Sequence, residues 1–415
     1  MESEEEPLVS DEESGCCSDS GDSDEEGSAT PAPSLTSARV PLIAWGAAVA
    51  ASGSALVATL PLAAPSASSV PCPLFLAVAA AAVGLCGLAL LAPRVGPRRG
   101  HLGPLVRAGG FQGAAVAALG LASQPGRLMC HLQVPLMGTG LAFALAFCFI
   151  ICKKVVSLRR LLSGLIVILG VFVSVDLQLC NEFRCLGNQV PAAKKSAWAA
   201  NGAHFFWAAV YVLAIAIWAF SCALLENFFL LTKAKPSALL VSTVETWTAA
   251  PDLLLPRAAP EEAAWRTSVD VAAVLAAAQV AALVVFAAIS ALATVLLKGV
   301  SPWDWLLELC WCLWQQATCA WTPWVLAATY APFLFATCHF LRTTESALFA
   351  MAAASVALPV SGVWWSVVRM QDEKLIFDPT LSGDLVSAFF GLPIIGAGLV
   401  LFARLHMAEL RRRLL

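Results

Sequence analysis

The chain has 415 residues, of which 59% are hydrophobic and only 13% are charged. A soluble domain could not bury so much apolar surface in one core, because a folded soluble protein still needs polar cover. The composition therefore excludes a soluble globular protein and predicts a polytopic membrane protein. Its first partner is the lipid bilayer, and we expect no nucleic-acid partner.

The net charge of −3 hides an uneven distribution of acids and bases. Of the 28 acidic residues, 12 lie between Glu2 and Glu26, which leaves 16 acids against 25 bases in the rest of the chain. Residues 1–40 also lack apolar periodicity, so we predict a disordered acidic arm in the cytosol. The first apolar segment begins only near Pro41, where we expect an uncleaved signal anchor.

A short motif in this arm is similar to an acidic dileucine sorting signal. Glu4 lies four residues before Leu8, and Val9 follows in place of the usual second leucine or isoleucine. The pattern favours a sorting adaptor as a partner. The alternative is a leucine that occurs by chance in an acidic tail.

Windows of about twenty apolar residues predict ten membrane spans. We expect every span to be an α-helix, because an open strand in lipid leaves backbone groups unpaired. The windows are 41–62, 71–92, 104–123, 128–151, 160–179, 203–225, 270–297, 321–340, 345–368 and 382–403.

The spans divide the chain into two groups of five. We predict a first five-helix repeat at 41–179 and a lumenal loop at 180–202. A second five-helix repeat follows at 203–403 and contains a cytosolic loop at 226–269, and a basic cytosolic tail covers 404–415. With both termini in the cytosol, 18 of the 25 basic residues fall on the inner side and seven on the outer side. This bias supports the orientation.

A proline-centred apolar segment occurs once in each half. Leu132-Gln-Val-Pro135-Leu-Met-Gly138 is matched by Val356-Ala-Leu-Pro359-Val-Ser-Gly362. Transporters with duplicated halves use broken helices of this kind to build a binding site at the bilayer midplane. The repeat therefore predicts a site between spans 4 and 9.

Polar residues inside spans are costly, so those beside the two prolines are candidates for substrate binding. In span 4 they are His131 and Gln133, next to Pro135, whose missing N–H leaves a carbonyl free. In span 9 they are Ser355 and Ser361, next to Pro359. The alternative is that the prolines only kink their helices and the polar groups bond to neighbouring spans.

Two histidines are candidates for proton coupling. His204 and His339 could titrate between an acidic lumen and the cytosol. Both lie near span ends, so the alternative is that they are simple interfacial residues.

Five cysteines outside the predicted spans could form disulfides in lumenal segments. They are Cys180, Cys185, Cys310, Cys312 and Cys319. Their odd number leaves the pairing open, and metal binding is the lesser alternative because no histidine accompanies them. The segment from Trp303 to Trp311 predicts an interfacial helix on the same side.

The spans contain no recognisable catalytic spacing, metal motif or phosphate-binding loop. We therefore expect no enzymatic activity, no metal and no cofactor. An ion gradient or the gradient of the substrate itself remains as the driving force.

Several segments resemble the drug/metabolite transporter superfamily. They are Phe111-Gln-Gly-Ala-Ala, Leu132-Gln-Val-Pro135, and the run from Cys152 through Ser174. Within that superfamily the chain is similar to the chloroquine-resistance-transporter-like group. This similarity lies in the end of span 6 at Glu226, the opening of span 7 up to Gln279, the cysteine-containing segment before span 8, and the stretch from Ser346 to Pro359.

The resemblance implies ten helices in two inverted five-helix repeats around a cavity lined by spans 1, 3, 4, 6, 8 and 9. It also implies a transporter of small metabolites, such as amino acids, short peptides, thiols or cationic drugs, with possible proton coupling in a vacuolar or lysosome-like membrane. The alternatives are a nucleotide-sugar or phosphometabolite carrier of the same fold, and a non-transporting membrane adaptor.

Overall fold

The computed structural model describes the backbone over most of the two predicted halves. Side chains are not described at the start of α1, at either end of α6, at the start of α7 and at a few further positions. The described residues are 35–60, 72–90, 102–124, 127, 133, 136–152, 157–174, 197–244, 260–319, 321–371, 374–379 and 383–414.

The described chain is almost entirely helical. The first-half helices are α1 (Leu35–Thr59), α2 (Cys72–Leu90), α3 (Leu102–Ala122), α4 (Gly140–Ile150) and α5 (Leu158–Ser174). Those that follow are α6 (Ala197–Val244), α7 (Pro260–Lys298), α8 (Pro302–Cys319), α9 (Thr322–Thr344), α10 (Ala347–Ala354), α11 (Ala357–Val367) and α12 (Gly383–Leu414). A two-stranded hairpin, β1 (Val368–Gln371) and β2 (Lys374–Phe377), precedes α12.

Eight helical segments of the described chain are long and apolar enough to cross a membrane. Apolar side chains such as Val83, Phe205 and Phe389 lie exposed on the outside of the bundle, as lipid-facing residues do. The prediction of an all-α polytopic membrane protein is confirmed. The other two predicted spans are only partly described: the apolar helix in span 4 covers Leu136–Ile150, and α5 has 17 residues.

Several predicted loop boundaries differ from the structure. The predicted loop at 226–269 is partly helical, because α6 continues to Val244 and α7 begins at Pro260. The predicted basic tail at 404–415 continues α12 as far as Leu414. Helices extend beyond the apolar windows because their backbone bonds are internal, so a helix need not end where it leaves the lipid.

The most extensive helix contacts join the two halves of the chain. In the described bundle α5 packs along α12, α3 lies between α6 and α7, and α9 lies between α1 and α2. The helix α2 also packs on α7.

Small residues permit the closest of these approaches. A Cβ atom on Gly109 or Gly113 of α3 would collide with the backbone of Ala278 or Ala282 of α7. A similar contact joins α5 and α12, where Gly170 and Gly391 meet. Such small-residue seams allow membrane helices to pack by van der Waals contact.

The ninth predicted span is broken into α10 and α11. The break lies at Ser355–Val356, one turn before Pro359. Proline has no N–H to donate to the carbonyl four residues earlier, and the Ser355 carbonyl accepts instead from the Leu358 N–H at 3.2 Å. The proline therefore accounts for the break.

The helix ends lie at two faces of the bundle. The termini face is where α1 begins and α12 ends. The opposite face is where α1 ends, α2 begins and α3 ends. The helix α8 packs on α2 and α7 at the opposite face, with Trp305 and Leu309 buried and Trp303 and Trp311 exposed.

Candidate functional site

A cavity of about 240 Å³ lies between the helices. It extends from the break in span 9 toward the opposite face, because Leu60, Pro73, Ser123 and Gln124 at helix ends line it. The lining comes from α1, α2 and α3, from α6, α9, α10 and α11, and from the segment that leads into α4. The family resemblance implied a lining from spans 1, 3, 4, 6, 8 and 9. All six contribute, and α2, which is span 2, contributes in addition.

The cavity wall is apolar and aromatic with a few polar groups. Trp218 of α6 and Phe333 of α9 stack with ring centroids 6.3 Å apart, and both line the cavity. Both tyrosines of the chain, Tyr211 and Tyr330, also line it. Among the described lining residues none is Asp, Glu, Lys, Arg or His. An uncompensated ion would therefore be poorly solvated there.

The hydroxyl of Tyr330 belongs to a closed polar triad behind the wall. Gln112 Nε2 donates to Tyr330 Oη at 3.3 Å, and Gln279 Nε2 donates to Gln112 Oε1 at 3.0 Å. Tyr330 Oη in turn lies 3.5 Å from Gln279 Oε1. All three side chains are buried, so the triad joins α3, α7 and α9 and leaves the ring of Tyr330 to face the cavity.

The hydroxyl of Tyr211 has no hydrogen-bond partner among the described residues, although the side chain is only 1% exposed. The ring packs with Ala122 of α3 and Ile215 of α6. A buried donor without a partner is rare in native proteins and calls for an explanation. Here the side chain lines the cavity.

Arg127 lies beside this end of the cavity, in the turn after α3. Its Nη1 donates to the Leu121 carbonyl at 2.8 Å, and its guanidinium lies 4.2 Å from the centre of the Trp207 ring. Burial lowers the pKa of the Arg127 guanidinium from its usual value. The side chain ties the turn after α3 to α6, one turn before Tyr211.

Described side chains close the termini face. Glu226 of α6 is fully buried, and its Oε2 accepts a hydrogen bond from the Ala347 N–H at 2.6 Å. Ser346 Oγ accepts from the Phe349 N–H, so two side chains cap the start of α10. Glu226 lies just after the predicted end of span 6, but α6 continues past it to Val244 and its carboxylate is buried.

Aromatic rings fill the space next to this cap. Phe349 packs against Phe340 at 5.0 Å and against Phe402 at 5.4 Å between ring centroids, and all three are buried. Arg160 at the start of α5 forms an ion pair with Glu409 near the end of α12. These contacts close the bundle between the cavity and the termini face.

The structure brings two of the predicted substrate-binding residues to the cavity. Gln133 and Ser355 line it. Pro359 and Ser361 are buried but are not among the lining residues, and Ser361 Oγ donates to the Leu358 carbonyl at 2.8 Å. His131 and Pro135 lie outside the described residues, so their predicted roles stay predictions.

His339 lies among aromatic rings near the termini face. Its imidazole stacks on Trp45 at 4.2 Å between centroids and contacts Phe335 at 4.6 Å. Its Nε2 has no hydrogen-bond partner among the described residues, and the ring is not part of the described cavity lining. His204 lies on α6, where its side chain is not described. Proton coupling through either histidine stays a prediction.

The cysteine predictions have mixed outcomes. Cys310 is a free, exposed thiol, so its predicted disulfide is wrong, because the helical turn of α8 points it away from the bundle. Cys72, at the start of α2, is disulfide-bonded. Cys180 and Cys185 lie outside the described residues, and so do the side chains of Cys312 and Cys319. The sorting motif of Glu4, Leu8 and Val9 also lies outside them.

Sequence reasoning missed Tyr211, Tyr330 and Cys72. The chain has only two tyrosines. Both fall inside predicted spans, so each could have been considered as a polar candidate for the site. Cys72 sits at the very edge of an apolar window, where a cysteine is usually a small apolar filler. Within the described part of the chain, no group of three or more His, Cys, Asp or Glu side chains is placed to hold a metal ion.

Comparison with known proteins gives no further guide to the site. Neither the protein-family models nor the curated proteins contain a match to this chain.

Proposed function

We propose that the chain is a secondary active or facilitative transporter of small metabolites that works by alternating access. The observation that carries the proposal is the cavity beside the broken span 9, which extends to the opposite face and ends above a packed termini face. A solute pathway needs such a cavity and a closure that can alternate between its two sides.

The proposal includes an inverted duplication. In it α1 to α5 correspond to α6, α7, α9, the α10–α11 pair and α12, with α8 as an addition to the second half. The helix contacts support this correspondence, because exchanging each helix for its counterpart in the other half reproduces the same main pairs. So does the contact between α4 and α10, where a Cβ on Gly140 would lie 2.9 Å from Met351 Cε.

The orientation proposed for the bundle has the termini face in the cytosol. The bias of basic residues supports it. The disulfide at Cys72 lies at the opposite face, and disulfides persist in oxidising compartments such as an organelle lumen. Residence in an acidic vacuolar or lysosome-like membrane, and membership of the drug/metabolite transporter superfamily, rest on the sequence resemblance.

The nucleotide-sugar carrier of the same fold is less well supported. Phosphate groups are recognised by Arg or Lys side chains, and the described cavity lining contains neither. A non-transporting adaptor would need no cavity at all.

Uptake into proteoliposomes of purified protein tests the proposal. The panel contains amino acids, short peptides, glutathione and nucleotide sugars, each with and without an imposed pH gradient. Saturable uptake of an amino acid, peptide or thiol is the expected result, and Gln133→Leu should reduce that flux without lowering the amount of protein in the vesicles. Exchange of nucleotide sugars alone would replace the proposal by the alternative carrier, and no flux of any solute would favour the adaptor.

A further inference from the structure

Polar and apolar side chains line different ends of the cavity. The end near the opposite face lies at the turn after α3 and the segment before α4, and its lining includes the polar side chains of Ser123, Gln124 and Gln133. The end nearer the termini face is lined by the large apolar side chains of Trp218, Phe333 and Met351. The cavity is therefore amphipathic along its length.

Met351 forms the floor of the apolar end. It lies on α10, one turn after Ala347, whose N–H is capped by Glu226 at the termini face. A Cβ on Gly140 of α4 would lie 2.9 Å from Met351 Cε, so the side chain reaches across from α10 to α4. The length of the Met351 side chain thus limits how far a solute can enter.

Two stacked rings form a wall of the same end. Trp218 lies two turns before Glu226 on α6, and its ring stacks on Phe333 at an interplanar angle of 18°. Gly53 of α1 also lines the cavity, and a Cβ there would lie 3.2 Å from Phe333 Cε2. The glycine therefore keeps side-chain atoms out of the space beside this aromatic wall.

The polar side chains closest to the apolar end already have protein partners. Ser355 Oγ donates to the Ala352 carbonyl at 2.7 Å. The hydroxyl of Tyr330 belongs to the triad with Gln112 and Gln279 and leaves only its ring to the cavity. This end thus offers a solute apolar surface and dispersion contacts.

We infer that the cavity binds a single amino acid with an apolar side chain, such as leucine, methionine or phenylalanine. The side chain of the solute lies on Met351 and the aromatic wall, and its ammonium and carboxylate groups lie toward Gln133. These two charges neutralise each other, and the polar end offers them amide and hydroxyl groups. The reverse orientation would bury both charges against apolar surface, which is strongly unfavourable.

The size of the cavity supports a single amino acid. Its volume of about 240 Å³ is below the roughly 300–1,000 Å³ of pockets for drug-sized molecules, so it favours one amino acid over a peptide. The inference rests on the cavity being the solute site of the proposed transporter. It makes Met351 a specificity-determining residue and gives Gln133 a contact that all amino acids share.

Equilibrium binding of radiolabelled amino acids to the purified full-length protein in nanodiscs tests the inference. The probes are leucine, methionine, phenylalanine, tryptophan, alanine, lysine and glutamate. They share one head group, so differences between them report the side chain. We expect leucine, methionine and phenylalanine to bind at least about tenfold more tightly than alanine, lysine or glutamate, because each buries a large apolar side chain. This ranking is measured on the wild-type protein and needs no variant.

Variants separate the two ends of the cavity. Met351→Ala should shift the ratio of tryptophan to leucine affinity about tenfold in favour of tryptophan, because a larger side chain fills the space that is vacated. Gln133→Leu should weaken both amino acids by a similar factor and leave the ratio unchanged. Met407→Ala is the matched control, because Met407 packs on the core but does not line the cavity, and it should also leave the ratio unchanged. Melting temperatures establish that each variant is folded.

Lysine or glutamate binding as tightly as leucine would overturn the inference, and so would no binding of any amino acid. An unchanged affinity ratio in folded Met351→Ala, or the same shift in Met407→Ala, would also overturn it. Failure of the transport proposal gives a different signature, since the expected ranking would persist in nanodiscs while proteoliposomes show no flux. Saturable flux of a peptide or glutathione without a preference for apolar amino acids would retain transport and overturn only this inference.

Discussion

The carboxylate of Glu226, in the middle of α6, accepts a hydrogen bond from the backbone N–H of Ala347 at the start of α10. One side chain thus connects the helix that carries Tyr211 with the broken helix below the cavity. An acidic group at a helix N-terminus satisfies an open donor and interacts favourably with the helix dipole. The contact fastens the closed termini face and would have to break if that face opened.

Replacing Glu226 should weaken this face. Glu226→Ala leaves the Ala347 N–H buried without that acceptor, a loss of about 1–3 kcal/mol, whereas Glu226→Gln retains a side-chain oxygen and should lose less. The melting temperatures of the purified variants measure the difference. Equal melting temperatures for wild type and Glu226→Ala would show that the contact does not stabilise the bundle.

The triad of Gln112, Gln279 and Tyr330 should behave as one unit. Gln112→Leu alone leaves buried polar groups of its partners unpaired, which costs about 1–3 kcal/mol. The triple variant Gln112→Leu, Gln279→Leu, Tyr330→Phe removes all three groups together and should cost less than the sum of the single changes. Chemical denaturation in detergent provides the values, and strict additivity would argue against the closed triad.

The α3–α7 seam depends on the missing side chain of Gly113. In Gly113→Ala the new methyl group would meet the backbone of Ala282, and we expect a loss of about 1–3 kcal/mol from overpacking. Gly84→Ala on α2 is the matched control, because a Cβ there meets no atom within 4 Å. The control should be neutral or slightly stabilising. If both variants unfold at the same temperature as wild type, the close approach of α3 and α7 is not present.

The cysteines at the opposite face should differ in reactivity. In vesicles that have the lumenal face outward, a membrane-impermeant maleimide should label Cys310, which is exposed and free. Cys72 is disulfide-bonded and should be labelled only after reduction of the unfolded protein. Peptide mapping under non-reducing conditions would identify its partner. Labelling of Cys72 without reductant would contradict the assignment and remove one support for a lumenal opposite face.

The sequence was sufficient for the class of fold because membrane helices depend on local apolar content. It was also sufficient for the break near Pro359 and for the helix containing Trp303, where one residue type or a helical period determines the structure. The extension of α6 past Glu226 could not be predicted from apolar windows, since a helix can continue into water. The hairpin with Gln371 paired to Lys374 was missed because no Asn-Gly or Asp-Gly pair lies between its two strands in the sequence.

The candidate site was only partly predictable. Gln133 and Ser355 were found because polar residues beside prolines are conspicuous in apolar spans. The triad could not be found from the sequence. Its members Gln112, Gln279 and Tyr330 come from three helices far apart in the chain, and only the packing of those helices shows that they meet. The Tyr211 hydroxyl, which has no partner among the described residues, was also missed, because no sequence pattern shows what surrounds a buried side chain.

The central claim is that solute crosses the membrane through the cavity, and filling that cavity tests it most directly. Ala354→Trp places a large side chain in the lining, and Val83→Trp, at a position 72% exposed on the bundle surface, is the control. Initial rates of uptake of the solute panel are measured in proteoliposomes with equal amounts of each folded protein. The account predicts saturable uptake of at least one solute by wild type and Val83→Trp and its loss in Ala354→Trp. Uptake by Ala354→Trp at the wild-type rate, or no uptake above empty vesicles by any of the three proteins, would contradict it.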